Sequence, residues 1–260
     1  MTYRRFVAIG DSLTQGFGDV YPDGRLRGFA DLLAAALRQV DDRAAYANLA
    51  RPSVRAHEVL SHQVPEAVAF QPDLVTAIAG INDVIALTFP ARRVQSHLDA
   101  IFAELRAGAP QATIMTAALP DLSHLSTVAR MWRGRVAALD RGTREAAARH
   151  GVVVVDLQAQ APLTRHELAM DRVHPSPSGH LRFARAFAAS LGLPDPDPGY
   201  LQQRPRGDQL HRLYRTAVVA PRFLTKRVAR RTLIAGQAPK RPELAPLLSP
   251  PSGPLSPVDA

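Results

Sequence analysis

The sequence predicts an α/β domain in three layers, with helices covering both faces of a five-stranded parallel sheet. Two observations carry that reading. Over the first 192 residues, short apolar runs alternate with longer segments of helical spacing, the pattern left by strands joined through crossover helices. The clearest runs are also apolar from end to end rather than at every second position, which suits strands covered on both sides.

Each element has its own justification. Phe6–Gly10 is a short apolar strand ended by Gly10, and Gly28–Val40 repeats leucine and alanine at helical spacing. Ala45–Ala50 reads as the second strand. Val54–Phe70 reads as a helix that Pro65 kinks or divides, because proline brings no N–H to the helical ladder. Asp73–Gly80 is the third strand. Ala91–Gly108 is helical, with Gly108 and Pro110 as stop signals. Thr113–Leu119 is the fourth strand, halted by Pro120. A long Ala/Arg helix over Thr127–His150 is capped by Gly151, and the β-branched run Val152–Leu157 supplies a buried fifth strand. The last helix runs from about Ser176 to Leu191 with Pro177 in its first turn. Sheets of this kind bind ligands at the carboxyl ends of their strands. Gly10-Asp11-Ser12, Ala50–Ser53 and Gly80-Ile81-Asn82 each follow a predicted strand and are expected to meet at one rim.

Charge divides the chain differently. The formal net charge is +9, yet residues 199–260 hold 11 of the 32 Lys/Arg and only three of the 23 Asp/Glu. Twelve of the 22 prolines also fall from Pro194 onward. The expectation is a near-neutral α/β body over residues 1–193 and a basic, Pro-rich extension over 194–260, partly helical and without order from about Pro239. Cysteine is absent, which excludes disulfides, thiol catalysis and cysteine-ligated metals. No apolar run has the eighteen or so residues that span a bilayer, and Phe6–Ile9 is too brief for a signal segment. The expectation is a cytoplasmic location, peripheral at the membrane if the basic extension meets lipid.

The chemistry-bearing residues lie at the two ends of the body. Ser12 follows the first strand directly. A serine hydroxyl becomes a useful nucleophile when a base takes its proton, and a histidine base needs a third group to fix its tautomer. Asp171 and His174, three residues apart in a loop before the last helix, offer that pair. Taken singly, Ser12 also reads as a helix cap and Asp171 and His174 as loop residues.

Together, Gly10-Asp11-Ser12-Leu13, Gly80-Ile81-Asn82-Asp83 and Asp171-Arg172-Val173-His174 resemble the GDSL/SGNH hydrolase family in order and spacing, over roughly residues 4–192. The resemblance implies a flavodoxin-like α/β/α sandwich, esterase or lipase chemistry, and neither a metal nor an organic cofactor. It implies Ser12 as nucleophile, His174 as general base and Asp171 as its orienter. The oxyanion hole would be made by the Ser12 N–H, the Asn82 amide and the backbone N–H of Ser53. Ser53 is the departure: in Asn48-Leu49-Ala50-Arg51-Pro52-Ser53 it stands where the family pattern has glycine. Its N–H survives the exchange, but a position demanding positive φ would strain it. The alternative makes Ser53 the N-cap of the helix beginning at Val54. Asp11 and Asp83 are either tuners of this rim or turn and cap carboxylates.

Competing motifs fail. There is no Gly-x-Ser-x-Gly elbow, no phosphate-binding glycine loop and no His-Glu-x-x-His pair. His57, His62 and His97 fall in helices and read as solvated; His124, after the fourth strand, is a candidate for lining the substrate pocket. Residues 210–234 mix leucine, valine and aromatics with seven Lys/Arg. They read as two short amphipathic helices that dock on the body or lie on anionic lipid, with nucleic acid the weaker partner. The expected function is hydrolysis of carboxylic esters of small molecules or lipids through an acyl-enzyme. An acyltransferase, or a weakly catalytic binding module working through its basic tail, is the alternative.

Overall fold

Alternate residues of the first strand face opposite cores. Phe6 and Ala8 enter one apolar cluster and Val7 and Ile9 the other, so a run apolar at every position is buried on both sides. The structure, a computed structural model, describes residues 2–21, 24–125, 127–159, 161–196 and 238–246. Its parallel strands are β1 (Arg5–Gly10), β2 (Ala45–Asn48), β3 (Leu74–Ile78), β4 (Thr113–Ala118) and β5 (Val153–Asp156).

The first cluster is covered by α2 (Phe29–Val40) and α8 (Pro177–Ser190), where Phe29 stacks on Phe187 at 5.2 Å. The second lies under α6 (Ala91–Gly108) and α7 (Thr127–Arg149). It also takes the helical stretch made of α3 (Ala56–Glu58), a π-turn over Val59–Gln63 and α4 (Val64–Ala69). Two short helices, α1 (Ser12–Gln15) and α5 (Ile81–Val84), follow β1 and β3. Among the described residues, no helix is long and apolar enough to cross a membrane.

Strand order is β5-β4-β3-β1-β2, the flavodoxin-like arrangement, in which β1 pairs with both β2 and β3. The chain leaves β1 for one side of the sheet and later returns to its other side as β3. A crevice therefore opens beyond the carboxyl ends of β1 and β3, and that is where α1 and α5 begin.

Three boundaries differ from expectation. A sixth strand, β6 (Arg241–Pro246), adds antiparallel to β2, where the sequence suggested a chain without order. Pro242 and Pro246 remove ladder donors and argue against a strand in a sheet's centre, but an edge strand tolerates them. The second strand stops at Asn48 rather than Ala50, because the Asn48 Oδ1 accepts the Ala50 N–H at 3.1 Å and turns the chain. The expected helix over Val54–Phe70 starts at Ala56 and widens into the π-turn just ahead of Pro65, with the Val64 N–H donating to the Val59 carbonyl. The basic segment 210–234 lies outside the described residues.

Candidate active site

The turn after β1 is built around an absent side chain. Gly10 has φ 148°, and a Cβ there would fall 2.4 Å from the Ile78 carbonyl and 2.5 Å from the Thr14 hydroxyl. Asp11 caps α1, its Oδ1 accepting the Leu13 N–H at 3.0 Å, and Ser12 is the first helical residue. The chain leaves through Gly16 in the left-handed region. The Gly16 and Phe17 N–H groups donate back to the Ser12 carbonyl at 3.2 and 2.9 Å.

The partner loop is a tight turn closed by a bridge between Leu168 and Pro175. Asp171 Oδ1 accepts the N–H groups of Val173 and His174, both at 3.0 Å, while Arg172 takes φ 58°. The other carboxylate oxygen accepts from His174 Nδ1 at 2.6 Å. A proton on Nδ1 leaves the Nε2 lone pair free, and Nε2 lies 2.8 Å from the Ser12 Oγ. The Phe17 ring packs 4.6 Å from the imidazole. Burial pushes the Asp171 carboxyl up, but the hydrogen bonds from His174 and the turn outweigh it and hold it below the usual carboxylate range. A serine hydroxyl on a neutral imidazole whose far side meets an ionised carboxylate can lose its proton as it attacks a carbonyl.

The other two rim segments close on this turn. The Asn82 Nδ2, on α5, donates to Asp11 Oδ2 at 3.1 Å and to the Val54 carbonyl at 2.9 Å. Asp83 Oδ2 accepts the Ala56 N–H at 2.9 Å and ties α5 to α3. The two acids thus hold rim loops in register, and both are buried. Burial pushes the Asp11 carboxyl up to about 6; its own hydrogen bonds and His174 pull the other way, and the neighbouring Asp83 charge adds to the rise. Ser53 sits at φ 63°, the left-handed region where glycine is unstrained. It is not the helix cap: α3 begins at Ala56, and the Arg55 N–H is taken by Glu58 Oε2 at 2.8 Å.

Two supporting residues had no sequence signal. Gln63, in the π-turn and 1 % exposed, accepts the Gly10 N–H at 2.7 Å and donates to the Gly10 carbonyl at 2.9 Å. His180, fully buried in α8, accepts the Phe29 N–H at 3.2 Å and donates to the Phe17 carbonyl at 2.8 Å. Each is one polar residue in a helical pattern, and only the fold reveals what it grips. His124 is held by the Leu163 carbonyl at 2.9 Å. A cavity of about 530 Å³, lined by Leu125, Arg165, Leu168, Ala169, Met170 and Arg172, lies against the loop that carries Asp171 and His174.

Solved structures of similar fold include several enzymes. An alpha/beta hydrolase from the metagenome of Lake Arreo, Spain, shares 24 % identity at a TM-score of 0.58, the match covering 74 % of this chain and 97 % of that one. An acetylxylan esterase from Geobacillus stearothermophilus shares 23 % at 0.56, covering 76 % and 98 %. The lipase/acylhydrolase from Enterococcus faecalis shares 20 % at 0.57, covering 75 % and 99 %. At these identities the likeness shows the fold. No curated protein matches the sequence. Residues 8–182 match the GDSL-like Lipase/Acylhydrolase family. That match spans well over half of the 260 residues, so the chain belongs to this family and is a hydrolase acting on ester bonds.

Proposed function

We propose that the protein is a serine esterase that cleaves carboxylic esters through an acyl-enzyme on Ser12. The observation that carries the reading is the unbroken run from the Ser12 Oγ through His174 to Asp171, at 2.8 and 2.6 Å. Ser12 attacks the ester carbonyl while His174 Nε2 takes its proton. Asp171 remains ionised and stabilises the imidazolium. The carbonyl oxygen becomes an oxyanion held by the Ser12 N–H, the Asn82 amide and the Ser53 N–H. Both Asn82 amide hydrogens are engaged in the free enzyme, so the oxyanion competes with Asp11 for the longer of the two bonds. As the tetrahedral adduct collapses, the C–O bond to the alcohol breaks and His174 gives that alcohol its proton. Water then attacks the acyl-serine with His174 again as base, releasing the acid and restoring Ser12.

A fluorophosphonate should label Ser12 in the full chain, with the adduct located on that residue by mass spectrometry. Ser12→Ala and His174→Ala should each lower kcat on p-nitrophenyl acetate by roughly 10⁴–10⁶, with losses that do not add in the double variant. Asp171→Asn should cost less, because it disturbs tautomer and orientation alone. More than a tenth of the activity retained in Ser12→Ala would end the assignment.

A further inference from the structure

The segment ahead of β6 reaches back to the turn that carries Ser12. The Lys240 side chain is only 9 % exposed, and its ammonium lies 2.8 Å from Asp31 Oδ1 on α2. It also donates to the Arg27 carbonyl. Both contacts lead to the nucleophile's turn. The first runs through hydrogen bonds alone. Asp31 Oδ1 accepts the Tyr46 hydroxyl at 2.9 Å, and the Tyr46 oxygen accepts from Asn48 Nδ2 at 2.7 Å. Asn48 Nδ2 donates in turn to the Thr14 carbonyl, inside α1, at 2.9 Å. The second runs through packing. The Arg27–Gly28 backbone lies directly on Gly16: a Cβ at Gly16 would fall 1.7 Å from the Arg27 carbonyl oxygen, and one at Gly28 would fall 2.3 Å from the Gly16 Cα. Gly16 in turn closes α1 onto Ser12.

A lysine side chain this enclosed, held on a buried carboxylate, costs solvation at both ends, and such a pair is weak grounds for stability alone. Its placement is the informative feature. One end sits directly ahead of the edge strand; the other grips the carbonyl against which the Ser12 turn is seated. We propose that Lys240 is a positioning residue for the nucleophile, and that the segment from Lys240 to Pro246 is a working part of the hydrolase rather than an appendage to it. This rests on the reading of Ser12 as nucleophile. The functional consequence is that turnover requires residues beyond the portion that carries the family's sequence match, which ends at residue 182.

The test uses the full chain. Lys240→Met leaves Asp31 buried opposite an uncharged side chain. Both Tm and kcat on p-nitrophenyl acetate should fall, kcat by about tenfold with KM within about twofold, as expected for a small displacement of a reacting atom. Asp31→Asn combined with Lys240→Met removes the stranded charge as well. In that variant Tm should recover toward the wild-type value while kcat stays low, because the lysine's bond to the Arg27 carbonyl is still missing. Amide hydrogen exchange at Gly16 and Phe17 should be faster than wild type in both variants. A purely structural lysine would give the opposite split, with kcat returning as Tm returns. Wild-type kcat and wild-type exchange at Gly16 and Phe17 in the double variant overturn the proposal, and the double variant carries the test if the single one does not fold. Hydrogen exchange reads the turn without any turnover. A failure to label Ser12 would therefore strike the nucleophile assignment and leave the clamp to be judged on exchange.

Discussion

His180 should impose a stability change with pH that a single substitution removes. The side chain has no exposed surface and bridges the Phe29 N–H and the Phe17 carbonyl, which fixes a neutral imidazole with its proton on Nε2. Burial pushes its pKa down to about 3, the Phe17 bond opposing, with the positive charge of Lys240 adding to the fall. In the unfolded chain an ordinary histidine titrates near 6.5. Between those two values the unfolded chain binds a proton that the folded one refuses, so the contribution of His180 is complete above about 6.5 and is lost as the pH falls toward 3. Each pH unit is worth about 1.4 kcal/mol, so roughly 3 kcal/mol should disappear between pH 6 and pH 4. His180→Gln does not titrate there. It loses part of the bridge at every pH, a constant offset of about 1–3 kcal/mol. Urea melts of both proteins at pH 7, 6, 5 and 4 should show the wild-type advantage shrinking by about 3 kcal/mol, while the carboxylate-driven losses common to both cancel. Parallel stability curves would refute the buried neutral histidine.

Asp11→Asn should give the opposite slope. Its folded pKa is raised from 3.8 to about 6, so the wild type loses stability as the pH rises through about 6, and the variant should gain on it by about 3 kcal/mol from pH 4 to pH 7 in the same melts. Asn82→Ala should lower kcat by about 10²–10³ with KM nearly unchanged, since an oxyanion exists only in the transition state; steady-state kinetics showing raised KM at constant kcat would mean that the amide binds the ground state. Ser53→Gly should keep its activity, and relief of the left-handed strain, about 1–2 kcal/mol, should offset or exceed the extra entropy of glycine in the unfolded chain. A fall in Tm beyond a few degrees, or a collapse of kcat, would mean that the Ser53 hydroxyl has a role of its own.

The parts of this molecule that were legible in the sequence share one property: their signal is repeated or ordered along the chain. Strands buried on both faces leave uninterrupted apolar runs, and Ala91–Gly108 carries its own stop signals, so its limits matched to the residue. The rim segments could be placed because each follows a strand, and parallel strands deliver their carboxyl ends to one side. Ser53 stands out through the family resemblance, as a serine where the pattern has glycine, and φ 63° is a conformation that favours glycine. What stayed hidden depends on single residues acting across the fold. Gln63 meets Gly10 from within a π-turn, a widening of the helix that no periodicity encodes. His180 is one imidazole among apolar helix positions. Lys240 looked like one more charge in a basic tail, and Arg241–Pro246 carries two prolines in six residues, composition that speaks against a strand anywhere but an edge.

The placement of those prolines has a further consequence. Without β6, the outer side of β2 would offer a row of open hydrogen-bonding groups, a template on which extended segments of other molecules can assemble. β6 covers that row, and among the described residues no further strand pairs with its own far side. At Pro242 and Pro246 the backbone has no hydrogen to give, so two of its six positions are unable to donate to an incoming chain. The strand that completes the sheet also ends its growth, and a molecule stripped of it would be exposed to aggregation along the flank that this short proline-bearing segment keeps closed.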